Sequence, residues 1–153
     1  EEMSQIAIST ARVVRLFGFE PKVAFVSHST FGQPLTNRTK HIKKAVDILK
    51  EKNVDFEFDG DMQPDVALND EYKSLYPFSK IVGNANILIM PGQHSAAISY
   101  KMLKTLGDTK VIGPLLIGLG LPIEIAPLRT STSELINLAS IAAYSADKID
   151  YSK

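Results

Sequence analysis

Apolar residues in the first segment recur with a helical period. Met3, Ile6, Val13, Leu16 and Phe17 fall near one side of a 3.6-residue spiral and Gly18 stops it, which predicts a helix over 3–17. After Pro21 the pattern changes to an unbroken run, Val23-Ala24-Phe25-Val26, closed by the polar cluster Ser27-His28-Ser29-Thr30-Phe31-Gly32-Gln33-Pro34. A short, β-branched run of this kind predicts a buried strand and then a loop. Ile42, Ala45, Val46 and Leu49 return to the spacing i, i+3, i+4, i+7, with lysines around much of the remaining circumference, as on a surface helix. From Val54 to Asp59 apolar and acidic residues alternate, the period of a strand with one wet face near a sheet edge.

Pro64 suits the first turn of a helix and Asp65 its positive end, so a short helix is expected at about 65–69. Ala85 to Met90 reads as a fully buried strand, and Pro91-Gly92 turns it into a helix whose stripe is Ile98, Met102, Leu103 and Leu106. Lys110 to Ile112 and Pro122 to Ile125 predict further short strands. Leu135, Leu138, Ala139, Ala142 and Ala146 mark a last helix over about 131–147. The alternation predicts an α/β fold, a parallel sheet with helices on both faces, as one domain or one lobe of a larger one. In such sheets ligands bind beyond the carboxyl ends of the strands, so the loops after Val26, Asp59, Met90, Ile112 and Ile125 are where function is expected.

Composition narrows the partners. Among 153 residues there are 17 basic and 17 acidic side chains, 44% hydrophobic residues and no Cys or Trp. A balanced charge gives no footprint for nucleic acid or an anionic membrane, so neither is an expected partner. The apolar stretches are broken by Gly and Pro short of the roughly 20 residues of a membrane helix. With no export signal at its start, the chain is expected in the cytoplasm. It opens on Glu-Glu-Met-Ser, inside an amphipathic pattern, which leads to the expectation of a piece of something longer.

The candidate chemistry sits in loops. Ser27, Ser29, Thr30 and Gly32 can hold a phosphate or carboxylate with hydroxyl and backbone donors, although a helix-capping turn uses the same residues. A Ser27 or Ser29 nucleophile with His28 is rejected: neighbouring residues on a strand point to opposite sides, and no G-x-S-x-G elbow exists. Asp59, Asp61 and Asp65 offer oxygens to a hard cation, but their spacing fits a strand-ending turn and a helix start, so no metal is expected in this chain. His41 is a residue of a solvated basic face. His94, in a strand-to-helix loop, can donate to a phosphate or simply start the helix. Gly118-Leu119-Gly120-Leu121 lacks the third glycine and the following helix of a dinucleotide fingerprint. Gly113 and Pro114, with Leu115, permit a flat group to approach the backbone. Arg129-Thr130-Ser131 offers a guanidinium, hydroxyls and helix-start N–H groups to a phosphate; N-capping, with Glu134 completing a capping box on Ser131, accounts for it equally.

Taken together, Ser27-His28-Ser29-Thr30-Phe31-Gly32, Asp59 to Leu68, Ala85 to Pro91 with Ile98-Ser99-Tyr100-Lys101, and Ile112 to Leu119 with Pro122 resemble the C-terminal half of the phosphate acetyl/butyryltransferase fold. They occur in that family's order over nearly the whole chain. The resemblance implies an isocitrate/isopropylmalate dehydrogenase-like lobe, with 1–153 as the C-terminal part of a phosphotransacetylase-like domain and the final helix packed on the absent lobe. Leu75-Tyr76-Pro77-Phe78-Ser79 before that strand is similar to the hybrid malic enzymes, in which this domain is fused behind an NADP-dependent malic enzyme.

Transacetylases resemble one another in an Asp-Leu-Ser-Arg-Gly-Cys stretch whose Ser and Arg hold the acyl phosphate. Its ungapped counterpart here is Ile125-Ala126-Pro127-Leu128-Arg129-Thr130, with Pro127 at the Ser position and Leu128 at the Arg position. Glu134 stands where the family has an acid. Losing a transition-state cation and donor commonly costs several kcal/mol of barrier. The resemblance therefore implies a binding site without the reaction: no catalytic residue and no cofactor in this chain, and an acetyl-CoA or related acyl-CoA effector on Ser27, Ser29, Thr30, Gly32, Gly113, Pro114, Leu115, Arg129, Thr130 and Ser131. It also implies a homo-oligomer, and a parent that decarboxylates malate oxidatively to pyruvate with NADP and Mg²⁺ or Mn²⁺. A working phosphate acetyltransferase is the alternative it leaves.

Overall fold

A computed structural model describes residues 1–108 and 110–148. The chain forms two compact units, Glu1–Ser99 and Tyr100–Lys153; residues 149–153 of the expected 1–153 domain lie outside the described residues. The first unit holds α1 (Glu2–Leu16), β1 (Lys22–Val26), α2 (Asn37–Glu51), β2 (Glu57–Met62), α3 (Pro64–Leu68), α4 (Asp70–Lys73) and β3 (Ile87–Ile89). The division cuts α5 (Gln93–Leu106), and the second unit carries α6 (Thr132–Lys148).

The three strands form a parallel sheet in the order β2-β1-β3. Successive side chains of the central strand point to opposite faces. Val23 and Phe25 pack with Ala7 and Ala11 of α1, Ile42 and Leu49 of α2, and Ile87 and Ile89 of β3. Ala24 packs on the other face with Met62, with Val66 and Ala67 of α3, and with Ile81 and Ala85. Helices therefore cover both faces, as the alternation predicts. Burying a side chain such as Phe25 or Leu49 stabilises by about 1.5–3 kcal/mol. On α2, Thr36 and Thr39 satisfy each other's end of the helix in a reciprocal capping pair, Thr36 N donating to Thr39 Oγ1 at 2.9 Å.

Two sequence expectations need correction. The acidic alternation overlaps the strand only at Glu57 to Asp59: pairing starts at Glu57, opposite Lys22, while Val54 and Phe56 pack on the α1–α2 core from the approach to it. Nor are all the carboxylates wet. Asp59 is buried, with Oδ1 accepting from Gly60 N at 2.9 Å and Oδ2 from Lys80 N at 2.8 Å. Among the described residues no strand forms at 110–112 or 122–125; an isolated antiparallel bridge, Leu115 to Glu124, stands there instead. Pro114 and Pro122 bring no N–H to a ladder, and Gly113, at φ 130°, turns the chain away from extended backbone. Among the described residues the sheet has three strands.

Gly60 is required where β2 meets β1. With φ at 151°, a Cβ there would stand 2.7 Å from Phe25 Cβ and 2.8 Å from Phe25 O. Lys73, on α4, is buried with no partner for its Nζ among the described residues, and that burial pushes its pKa down. The stripe predicted on α5 is present in sequence but uncovered: Ile98, Met102, Leu103 and Leu106 are all exposed. On α6 only Leu138 is buried.

Candidate functional site

The sequence-predicted residues fall in both units. In the first, the chain leaves β1 at its carboxyl end and turns back over the end of β2. Ser27 N donates to Met62 O at 2.9 Å and Phe31 N to Asp61 O at 2.6 Å. The Asp61 carboxylate accepts from Gly32 N at 3.0 Å and from the Ser29 hydroxyl. Thr30 Oγ1 accepts from Gln63 N at 3.3 Å, and Thr30 N donates to Gln33 O at 3.2 Å. Ser27, Ser29 and Thr30 are buried, and His28 alone of the four from Ser27 to Thr30 is exposed. The Ser29 hydroxyl and the N–H groups of Ser27, Phe31 and Gly32 are thus committed to the neighbouring strand. Asp61, read from sequence as part of a strand-ending turn, is the residue that holds all of these except Ser27 N; 32 positions separate it from Ser29, so no local pattern connects the two.

No group of three or more His, Cys, Asp or Glu among the described residues is arranged to hold a metal ion. Asp59 and Asp65 bind backbone N–H groups, Asp65 accepting from Val66 N at 3.0 Å. His41 and His94 are exposed, His94 in the first turn of α5.

In the second unit a pocket of ≈ 100 Å³ is lined by Lys104, Ile112, Gly113, Arg129, Thr130 and Glu134, with Pro127 and Leu138 among the other walls. Gly113 O accepts from Tyr100 OH at 3.0 Å, which fixes one side. Ser131 caps α6: Glu134 N donates to its hydroxyl at 3.3 Å, while Ser131 N and Oγ donate to Glu134 Oε2 at 2.8 and 2.9 Å. This is the capping box the sequence offers, and it coexists with the pocket. Lys104 Nζ donates to Glu134 Oε1 at 2.9 Å. The Ser131 N–H, the Lys104 ammonium and the Ser131 hydroxyl together hold the Glu134 carboxyl down at about 2, and Glu134 in turn raises the Lys104 pKa.

Thr130 donates its hydroxyl to Pro127 O. Arg129 is exposed on the pocket wall with no hydrogen-bond or ion-pair partner among the described residues. Leu115 is half-buried beside its bridge to Glu124, and Pro114 is exposed; neither lines the pocket. Lys104 and Asn137, which do, carry no motif in the sequence. Lys104 is held there by its contact with Glu134.

The fold and sequence have close counterparts among known proteins. The chain is 48% identical over 146 residues to an NADP-dependent malic enzyme of Rhizobium meliloti (strain 1021), covering 95% of this chain and 19% of that one. It is 35% identical over 150 residues to a phosphate acetyltransferase of Clostridium acetobutylicum, covering 97% of this chain and 45% of that one. The EutD phosphotransacetylase from Staphylococcus aureus superposes with a TM-score of 0.86 at 30% identity, over 94% of this chain and 45% of its own. The chain thus spans about a fifth of the malic enzymes it matches and under half of the transacetylases. Its residues 1–143 match the family model described as phosphate acetyl/butaryl transferase, and the chain belongs to that family.

Proposed function

We propose that this chain is the acyl-CoA-sensing, catalytically silent part of an NADP-dependent malic enzyme. Its 48% identity to a malic enzyme, against 35% to a phosphate acetyltransferase, supports the choice of parent. The observation that carries the silent-site reading is that Glu134 is already engaged: Ser131 N, Ser131 Oγ and Lys104 Nζ all donate to its carboxylate, which leaves it little acceptor capacity for the proton of a thiol. Pro127 and Leu128, at the positions where transacetylases have Ser and Arg, bring neither a donor nor a cation.

The same pocket retains what binding needs. Arg129 offers a guanidinium to a phosphate group, and Ile112, Pro127 and Leu138 offer apolar wall to an acyl chain. Gly113 and Thr130 line it, and Ser131 holds Glu134 on its wall. In the first unit Ser29 and Gly32 set the form of the β1 loop through Asp61, Ser27 through Met62 O, and Thr30 through Gln63 N and Gln33 O. In this reading acetyl-CoA or a related acyl-CoA is the effector, the rest of the parent holds NADP and Mg²⁺ or Mn²⁺, and the subunits assemble as a homo-oligomer in the cytoplasm, with α6 packed on the rest of the phosphotransacetylase-like domain. For the effector to regulate malate decarboxylation it must bind two global states unequally, typically by about 1–3 kcal/mol.

Calorimetry on the intact protein tests this. Acetyl-CoA is expected to bind and to change malate turnover, and Arg129→Ala to weaken binding about tenfold or more. Absence of binding, or an unchanged turnover with the site filled, contradicts the reading.

A further inference from the structure

The one buried residue of α4 is a lysine. Asp70, Glu71 and Tyr72 are exposed, whereas Lys73 is 5% exposed and its Nζ has no hydrogen-bond partner among the described residues. Three charged groups act on it: Asp70 of α4 itself, Lys22 at the start of β1 and Glu57 at the start of β2. The last two are engaged elsewhere, Lys22 Nζ donating to Val82 O and the Glu57 carboxylate accepting from Val82 N at 2.8 Å. Surface helices are anchored by apolar side chains, and an ammonium taken out of water without a partner is disfavoured against the neutral amine. The chain around Lys73 is otherwise self-contained. Every hydrogen bond that residues 70–79 make among the described residues ends between Asn69 and Ile81, as with Ser74 N on Asp70 O at 3.0 Å, Tyr76 N on Lys73 O at 2.7 Å and Ser79 N on Tyr76 O at 2.9 Å. Bonds to the rest of the first unit resume at Lys80 N, which donates to Asp59. Residues 70–79 therefore rest on the unit through side chains. Lys73 is buried, Tyr76 packs on the core around Ala24 and Met62, and the rings of Tyr76 and Phe78 lie 5.5 and 4.8 Å from that of Phe31 in the loop after β1.

We infer that residues 70–79 form a strap on the first unit, docked while Lys73 is uncharged and released when Lys73 takes a proton. Release breaks no hydrogen bond beyond the strap's own ends at Asn69 and Ile81, and it lifts two rings from Phe31 near the carboxyl end of β1. The sign follows by linkage. Burial holds the docked amine below the ordinary lysine value of 10.5, at which a solvated side chain titrates, so the docked form binds fewer protons wherever the pH lies between the two. In that window each unit of falling pH raises the released fraction by up to about tenfold, and below the docked value the rise stops. The inference does not depend on the acyl-CoA reading.

The test is hydrogen exchange on the intact protein, read peptide by peptide by mass spectrometry from about pH 7 to about pH 9. Lys73→Met keeps a stem of similar length and removes the charge, and Lys73→Arg makes the charge permanent. At each pH the intrinsic exchange rate largely cancels in the ratio of the unsubstituted protein to Lys73→Met. In peptides from 70–79 that ratio is expected to exceed one and to fall severalfold as the pH is raised, while peptides from β1 and β3 exchange alike in both proteins. Lys73→Arg should exchange fast in 70–79 throughout. A ratio of one, a ratio constant with pH, or a change shared equally by β1 and β3 overturns the inference. Should Lys73→Arg fail to fold, the comparison with Lys73→Met decides alone.

Discussion

The loop after β1 and the turn before α6 draw on the same residue types and use them in opposite ways. From Ser27 to Gly32, the Ser29 hydroxyl and the N–H groups of Ser27, Phe31 and Gly32 turn inward onto Asp61 and Met62 at the end of β2, while Thr30 Oγ1 accepts from Gln63 N. From Arg129 to Ser131 the local acceptors, Pro127 O and Glu134, satisfy the hydroxyls and leave a guanidinium over. Hydroxyl-rich composition therefore does not identify a phosphate site. What decides is whether an acceptor elsewhere in the fold has already claimed the donors. The same contrast runs through the packing: the first unit is built around a buried core, and α5 and α6 bury only Leu138 between them.

Substitutions can sharpen that contrast. The largest effect is expected at Gly60, where a Cβ has nowhere to go against the Phe25 backbone; Gly60→Val should prevent folding of the first unit, seen as loss of a cooperative urea transition. Phe25→Ala, in the centre of the same core, should lower unfolding free energy by about 3–5 kcal/mol. Ser29→Ala takes away one of the two donors on a buried carboxylate and should cost about 1–3 kcal/mol. Leu106→Ala, at a residue 79% exposed, should change stability by less than about 0.5 kcal/mol, and a larger loss would break the comparison between the units.

The smallest expected effect is in acid. Glu134 titrates at about 2 in the fold against an ordinary 4.5, so its contribution is whole above about pH 4.5 and fades as pH falls toward 2. The difference in urea midpoint between the protein and its Glu134→Gln variant should shrink over that window, and a difference constant with pH would show that the carboxylate is not so held.

Pro64 with Asp65 located α3, and apolar patterning located α1, β1, α2, β3, α5 and α6, with Gly18 after α1 and the polar cluster after Val26 the clearest stops. It misplaced β2 because Val54 and Phe56 face the core before the strand begins to pair, and pairing leaves no mark in the alternation. It expected strands near Ile112 and Ile125, since apolar runs between prolines and glycines look alike whether or not a neighbour supplies a ladder. At the candidate site the Ser131–Glu134 capping box was legible from its three-residue spacing. The Ser29–Asp61 and Lys104–Glu134 contacts were not, because partners 32 and 30 positions apart meet only through the fold.

One assay bears most directly on a pocket that binds without reacting: thioester formation from acetyl phosphate and CoA by the intact protein, run beside calorimetry with acetyl-CoA on the same preparation. The account predicts acetyl-CoA bound and no protein-dependent thioester. Appreciable turnover would contradict it and make this chain part of a working phosphate acetyltransferase.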